Sequence, residues 1–149
     1  MLKKIACVGL AIALLQSCVD ITPEQKSKLQ AVKQTMPEYY TEVKNPNLAA
    51  GLGVLPLGIA DFYNGNYGLG VANIAGSILW PVNISWTVIG AIDGANEKNY
   101  YATKNALSKA KKKDLAKLQE KLEAKEITLE QYTLNSKKIE QKYDMDYIM

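Results

Sequence analysis

The sequence predicts an all-α fold, and three observations carry that prediction. Apolar residues recur at spacings of three and four through both Lys-rich ends of the chain, the period of a helix face. The 31 residues from Phe62 to Ile92, between Asp61 and Asp93, contain no Asp, Glu, Lys or Arg. Strand-type alternation is absent throughout. The expected order is an N-terminal signal helix, short linker helices, a membrane-type helical hairpin and a C-terminal antiparallel helical pair. The boundaries fall at residues 1–17, 18–46, 47–94 and 95–149.

Composition narrows the functions this chain is expected to have. All 18 basic residues are lysine and there is no histidine, which removes the side chain that most readily exchanges protons at neutral pH and the bidentate phosphate fork of arginine. The formal net charge of +3 includes Lys3 and Lys4, and without them 16 basic residues face 15 acidic ones. Nucleic acid is therefore not an expected partner. The two cysteines are Cys7 and Cys18, so no disulfide framework or cysteine zinc site is expected from the mature chain.

The N-terminus opens with Lys3 and Lys4, followed by an apolar run from Ile5 to Leu15. That run has the proportions of a secretory leader and is too short for a bilayer, which needs about 20 residues. Leu15, Gln16, Ser17 and Cys18 come next. This order of an aliphatic residue, a small residue and then cysteine resembles the bacterial lipobox. The resemblance implies cleavage between Ser17 and Cys18 and acylation of the Cys18 thiol. Membrane lipid is thus an expected partner, since each buried methylene of an acyl chain contributes ~0.8 kcal/mol. Val19 after the cysteine is not the aspartate that retains such proteins at the inner membrane, so by the same resemblance the location is a bacterial cell envelope, with the outer membrane favoured.

Thr22, Pro23, Glu24 and Gln25 read as a helix start, and Leu29, Val32 and Met36 give it one apolar stripe that ends before Pro37. A second short helix is expected over Tyr39, Tyr40 and Val43, stopping at Asn45 and Pro46. The paired tyrosines suit a membrane interface, where the ring is buried and the hydroxyl stays wet.

The central segment runs apolar or glycine from Leu48 to Ile59, turns through Asp61 to Gly68, and is uncharged from Tyr67 to Ile92. Two helices joined by a tight Asn/Gly turn are expected. At ~1.5 Å per residue, Tyr67 to Ile92 would cover roughly 39 Å, enough to cross a bilayer with a kink at Pro81. Small residues such as Gly53, Gly58, Gly70 and Gly90 would allow close helix contact, with Asn73 and Asn83 turned to the partner helix. The set Gly58, Asp61, Phe62, Tyr63, Gly65, Gly70, Trp80, Trp86 and Asp93 resembles the two-transmembrane (TM-two) domain. What that resemblance implies is a membrane hairpin, not an activity. Such a hairpin leaves the C-terminus on the same side as Cys18, whereas the lysines from Lys98 to Lys113 favour the opposite, cytoplasmic side; the turn at Asn64 to Asn66 favours the hairpin.

Beyond Glu97, Leu107, Leu115, Leu118 and Leu122 form one stripe, a break falls at Lys125 to Thr128, and Leu129, Tyr132, Ser136, Ile139 and Tyr143 form another. Thr128 is the expected cap of the last helix. Leu118, Leu122, Ile127, Thr128, Glu130, Tyr132 and Ile139 resemble the SHOCT (short C-terminal) domain, although the turn glycine is replaced by Lys125 and Glu126. The resemblance implies self-association or docking on a protein partner.

No catalytic, cofactor-binding or metal-ligating set is expected. An enzyme would need Asp61 and Asp93 to meet as a carboxylate pair, and no neighbouring residue completes a mechanism. The expected function is that of a non-enzymatic, lipid-anchored envelope protein serving as a structural or interaction component. The alternative is a small pore-forming or membrane-perturbing protein, motivated by the Asn-bearing second helix.

Overall fold

The computed structural model describes residues 21–75 and 80–148, residues 75 and 80–83 by their backbone alone. The expected leader, with Cys7, and the expected cleavage position at Ser17 and Cys18 lie outside the described residues. Within them the chain is helical, with no strand: α1 (Pro23–Thr35), α2 (Pro46–Gly53), α3 (Ile59–Asn64), α4 (Tyr67–Ala75), α5 (Trp80–Glu123) and α6 (Leu129–Lys142). They form two compact units. One holds residues 42–99 with 21–22, the other residues 23–41 and 100–148. The long helix α5 supplies residues to both.

In the second unit α1 buries Leu29 and Val32 as its stripe predicts and ends before Pro37. The second short helix expected over Tyr39 to Val43 does not form. Residues 37–39 make a turn instead, with the Tyr39 N–H donating to the Met36 carbonyl at 3.0 Å. Pro37 removes a donor, and the few residues before Pro46 cannot repay helix nucleation. A side chain of α5 takes up the freed backbone instead: the Thr41 N–H donates to Thr103 Oγ1 at 3.1 Å.

The break expected at Lys125 to Thr128 is present, and its chemistry is specific. The Glu126 N–H donates to the Lys121 carbonyl at 2.9 Å and the Lys125 N–H to the Leu122 carbonyl at 3.0 Å, the paired bonds of a Schellman ending. Lys125 holds the left-handed position, φ 59°, that glycine normally fills. Lys125→Gly is therefore expected to raise stability by about 1 kcal/mol, read as a higher urea midpoint in far-ultraviolet circular dichroism. Thr128 then caps α6: its hydroxyl accepts from the Gln131 N–H at 3.2 Å while Gln131 Oε1 accepts from the Thr128 N–H at 3.0 Å.

Beyond α6 the chain is tied back to the other helices of this unit. The Tyr143 hydroxyl donates to Asp114 Oδ2 on α5 at 2.6 Å, so α6 runs back along α5. With its proton committed there, Tyr143 accepts from the Tyr39 hydroxyl at 3.2 Å, and the two rings meet edge to face. Burial, then the Asp114 contact, pushes the Tyr143 hydroxyl well above its ordinary pKa. Lys28 on α1 is held protonated by Asp146 and by Glu24.

The expected helical hairpin differs from the structure at two helix boundaries. The first apolar helix expected from Leu48 divides into α2 and α3, because Pro56 lacks an N–H and disfavours helical geometry at the residue before it; Leu57 and Gly58 then take left-handed conformations. The expected kink at Pro81 adjoins residues 76–79, which lie outside the described residues. The helix does not stop at Asp93: α5 continues through Gly94. A Cβ at Gly94 would lie 2.8 Å from Asn64 Nδ2, so this glycine admits a neighbouring side chain and does not end a helix. No helix among the described residues is long and apolar enough to cross a membrane. The only long one, α5, carries Lys and Glu through its second half.

Candidate functional site

The first unit is held together by its smallest side chains. Its apolar core is Ala49, Ala60, Ala91 and Ala95, with Leu52 and Tyr63 packed against them and partly buried. Glycines set the approach of the helices. A Cβ at Gly53 would stand 2.9 Å from Val88 Cα and 3.0 Å from the Thr87 carbonyl oxygen, and one at Gly58 2.7 Å from the Gly70 carbonyl oxygen. The ring of Phe62 covers Gly70 from the other side, within 3 Å of where a Cβ would be. Gly65, φ 81°, closes α3 with the same paired bonds seen at Lys125: Gly65 N–H to the Phe62 carbonyl at 3.0 Å and Asn66 N–H to the Asp61 carbonyl at 2.8 Å.

Polar side chains point inward and bind backbone. Asn64 donates to the Ala91 carbonyl at 2.8 Å, and the Thr87 hydroxyl to the Gly53 carbonyl at 2.8 Å, satisfying a helix end. Asn99, 0 % exposed, acts as a clamp. Its Oδ1 accepts from the Val43 and Lys44 N–H groups, both at 2.9 Å, and its Nδ2 donates to the Lys44 carbonyl at 2.7 Å. The extended segment before α2 is thereby fastened to α5. Asn45 caps α2 through Leu48 N–H, and its own N–H donates to the Tyr63 hydroxyl at 2.9 Å. Lys44 lies over the Tyr63 ring at 4.5 Å.

Large apolar side chains point outward. Leu48, Val54, Leu55, Leu57, Ile59, Tyr67, Val71, Ile74, Trp86 and Ile89 are all exposed, Tyr67 and Trp86 at 68 %. Between Lys44 and Asp93 the sequence contains a single charged residue, Asp61. Its Oδ2 accepts from Asn73 Nδ2 at 2.6 Å, so the one charge of this surface is turned to a partner on α4. Burial raises the Asp61 pKa, and the Asn73 bond opposes that shift.

A carboxyl that binds its proton more tightly when folded favours the fold at low pH and loses that contribution as pH rises from its ordinary value through the raised one. Asp61→Asn is accordingly expected to gain stability relative to the parent across the pH range that runs upward from the ordinary carboxylate value through the raised one. Urea midpoints read from Trp80 and Trp86 fluorescence check this; a constant difference across that range would count against it.

The structure thus brings Gly58, Asp61, Phe62, Gly65 and Gly70 together with Asn73 at the junction of α3 and α4. Tyr63 faces the α2 cap. Asp93 is buried on α5, and Trp86 lies exposed on that helix. For Trp80 only the backbone position, at the start of α5, is described, and Ser17 and Cys18 lie outside the described residues. Sequence reasoning missed Asn64, Thr87 and Asn99. The only available signal was the presence of polar residues in otherwise apolar or helical stretches, without the partners that give them meaning. Comparisons with family models, curated proteins and solved structures found no match.

Proposed function

We propose that this chain is a lipid-anchored envelope protein whose residues 42–99 seat in the membrane surface, and that it serves as a structural or interaction component rather than as an enzyme. One observation carries the reading: the first unit is packed inside out relative to a water-facing domain, with alanine, asparagine and glycine inside and Leu, Ile, Val, Tyr and Trp outside. In water these partly exposed side chains would each forgo about half of the 1.5–3 kcal/mol that full burial contributes, whereas lipid receives them and small residues let backbones close on one another. The second unit has the ordinary pattern, with Leu29, Val32, Leu107 and Leu118 inside and its lysines and glutamates largely outside. Helices lying in the interface need no crossing, so the lysine-rich C-terminal part stays on the side of Cys18. The lipobox resemblance supports the acyl anchor, and the TM-two and SHOCT resemblances support a membrane-seated segment followed by a docking tail.

A Cys18→Ala form, which cannot be acylated there, is expected to float with phosphatidylcholine vesicles and to shift its tryptophan emission to the blue. The Val71→Ser, Trp86→Ser, Ile89→Ser triple variant should lose most of the binding, with a dissociation constant raised on the order of a hundredfold. A Cys18→Ala protein that remains in the aqueous fraction, with unshifted emission, would overturn the membrane seat. Persistent fatty-acid labelling of that variant would separately overturn the anchor.

A further inference from the structure

Helix α5 carries an unneutralised lysine face within the second unit. From Lys98 to Lys113 the sequence has six lysines and no acidic residue. Lys104, Lys109, Lys112 and Lys113 are exposed; at 100° per residue Lys109 and Lys112 lie opposite the buried Thr103, Leu107 and Leu118, with Lys104 and Lys113 flanking that stripe on either side. Tyr101, 48 % exposed, shares that side. None of the four lysines has an ion pair or hydrogen bond among the described residues. The nearest acid that follows, Asp114, is on the packed side and accepts from Tyr143. Elsewhere in the unit lysines alternate with acids, as in Lys117, Glu120, Lys121 and Glu123. The contrast is local.

We propose that this face of α5 binds the phosphate groups of anionic phospholipids at a bilayer surface. Charge complementarity selects the occupant. Lysine ammoniums are compact charges on flexible stems that suit a fluid array of headgroups, and the arginine forks typical of fixed phosphate recognition are absent. An exposed tyrosine beside them places a ring at the headgroup level with its hydroxyl in water. Nucleic acid is disfavoured by the near balance of charge over the rest of the chain. The proposal rests on the membrane-seated reading for the choice of a bilayer, and its test separates the two.

The full chain carrying Cys18→Ala is titrated with vesicles of phosphatidylcholine alone and of phosphatidylcholine mixed with phosphatidylglycerol. Anionic vesicles should bind more tightly, by about fivefold for each engaged lysine, and high salt should remove the difference. The variant Lys104→Gln, Lys109→Gln, Lys112→Gln, Lys113→Gln should lose the anionic increment and keep the affinity for neutral vesicles. The control Lys117→Gln, Lys121→Gln, Lys137→Gln, Lys138→Gln should keep the increment. Equal affinity for neutral and anionic vesicles overturns the proposal, as does an increment lost equally in the control, or binding of duplex DNA through the same four lysines without any vesicle preference. Failure to bind neutral vesicles with a lysine-dependent anionic increment intact instead overturns the seating of residues 42–99 and leaves the lysine face standing.

Discussion

Gly58→Val is expected to unfold the first unit at denaturant concentrations where the parent is intact, with a loss of about 4 kcal/mol. Two costs add. Gly58 has φ 63°, a left-handed geometry that costs an L-residue roughly 1–2 kcal/mol and a β-branched one more. Its Cβ would also meet the Gly70 backbone, at 2.7 Å from the carbonyl oxygen and 2.9 Å from Cα, and backbone cannot swing aside as a side-chain tip does; overpacking of this kind costs about 1–3 kcal/mol. Both tryptophans of the chain, Trp80 and Trp86, fall within residues 42–99, so their fluorescence reports this unit. The matched control is Gly51→Ala, where a Cβ meets nothing within 4 Å. In a helix that change should stabilise by about 0.5–1 kcal/mol. Equal effects from the two substitutions would show that the Gly58–Gly70 approach does not hold α4 in place.

Asn99→Ala is the second large effect, expected at about 3 kcal/mol. The substitution leaves the Val43 and Lys44 N–H groups and the Lys44 carbonyl without their partner, and an unsatisfied, partly buried backbone group costs about 1 kcal/mol or more. It also opens a void at a fully buried site. Asn99→Leu separates these contributions, since it restores volume without restoring any bond. We expect the leucine variant to recover little of the loss. In both variants cleavage by a broad-specificity protease should move to residues 41–45, a segment otherwise fastened to α5. Parent-like protection of that segment would mean that water replaces the asparagine at little cost.

Much of the helical framework is written in local chemistry. Thr128 with Gln131, the Pro37 stop and the break after Ala124 follow from capping and backbone rules that act within a few residues. Pro56 carried an equally local message: it predicts the division of the first apolar helix, and the apolar composition around it obscured that message. Asn45 and Pro46 look like a helix end, yet they form the start of α2, since a cap asparagine followed by proline fits either side of a boundary until the next turn is known.

The candidate surface is a different matter. A helix declares its buried face through the contrast between apolar and polar residues, and residues 62–92 have no charged residue to supply that contrast. The sequence alone therefore determined that the chain is helical, that its charges are segregated from an uncharged centre, and where most of its breaks fall, because these depend on neighbours in sequence. Tertiary structure alone decided that Ala91 and Ala95 face inward while Trp86 and Ile89 face outward, that Asp61 meets Asn73, and that Asn99 holds the backbone of Val43 and Lys44. Each of those depends on which backbones come close in space, and where Asp61 meets Asn73 it is the approach of Gly58 to Gly70 that sets the distance.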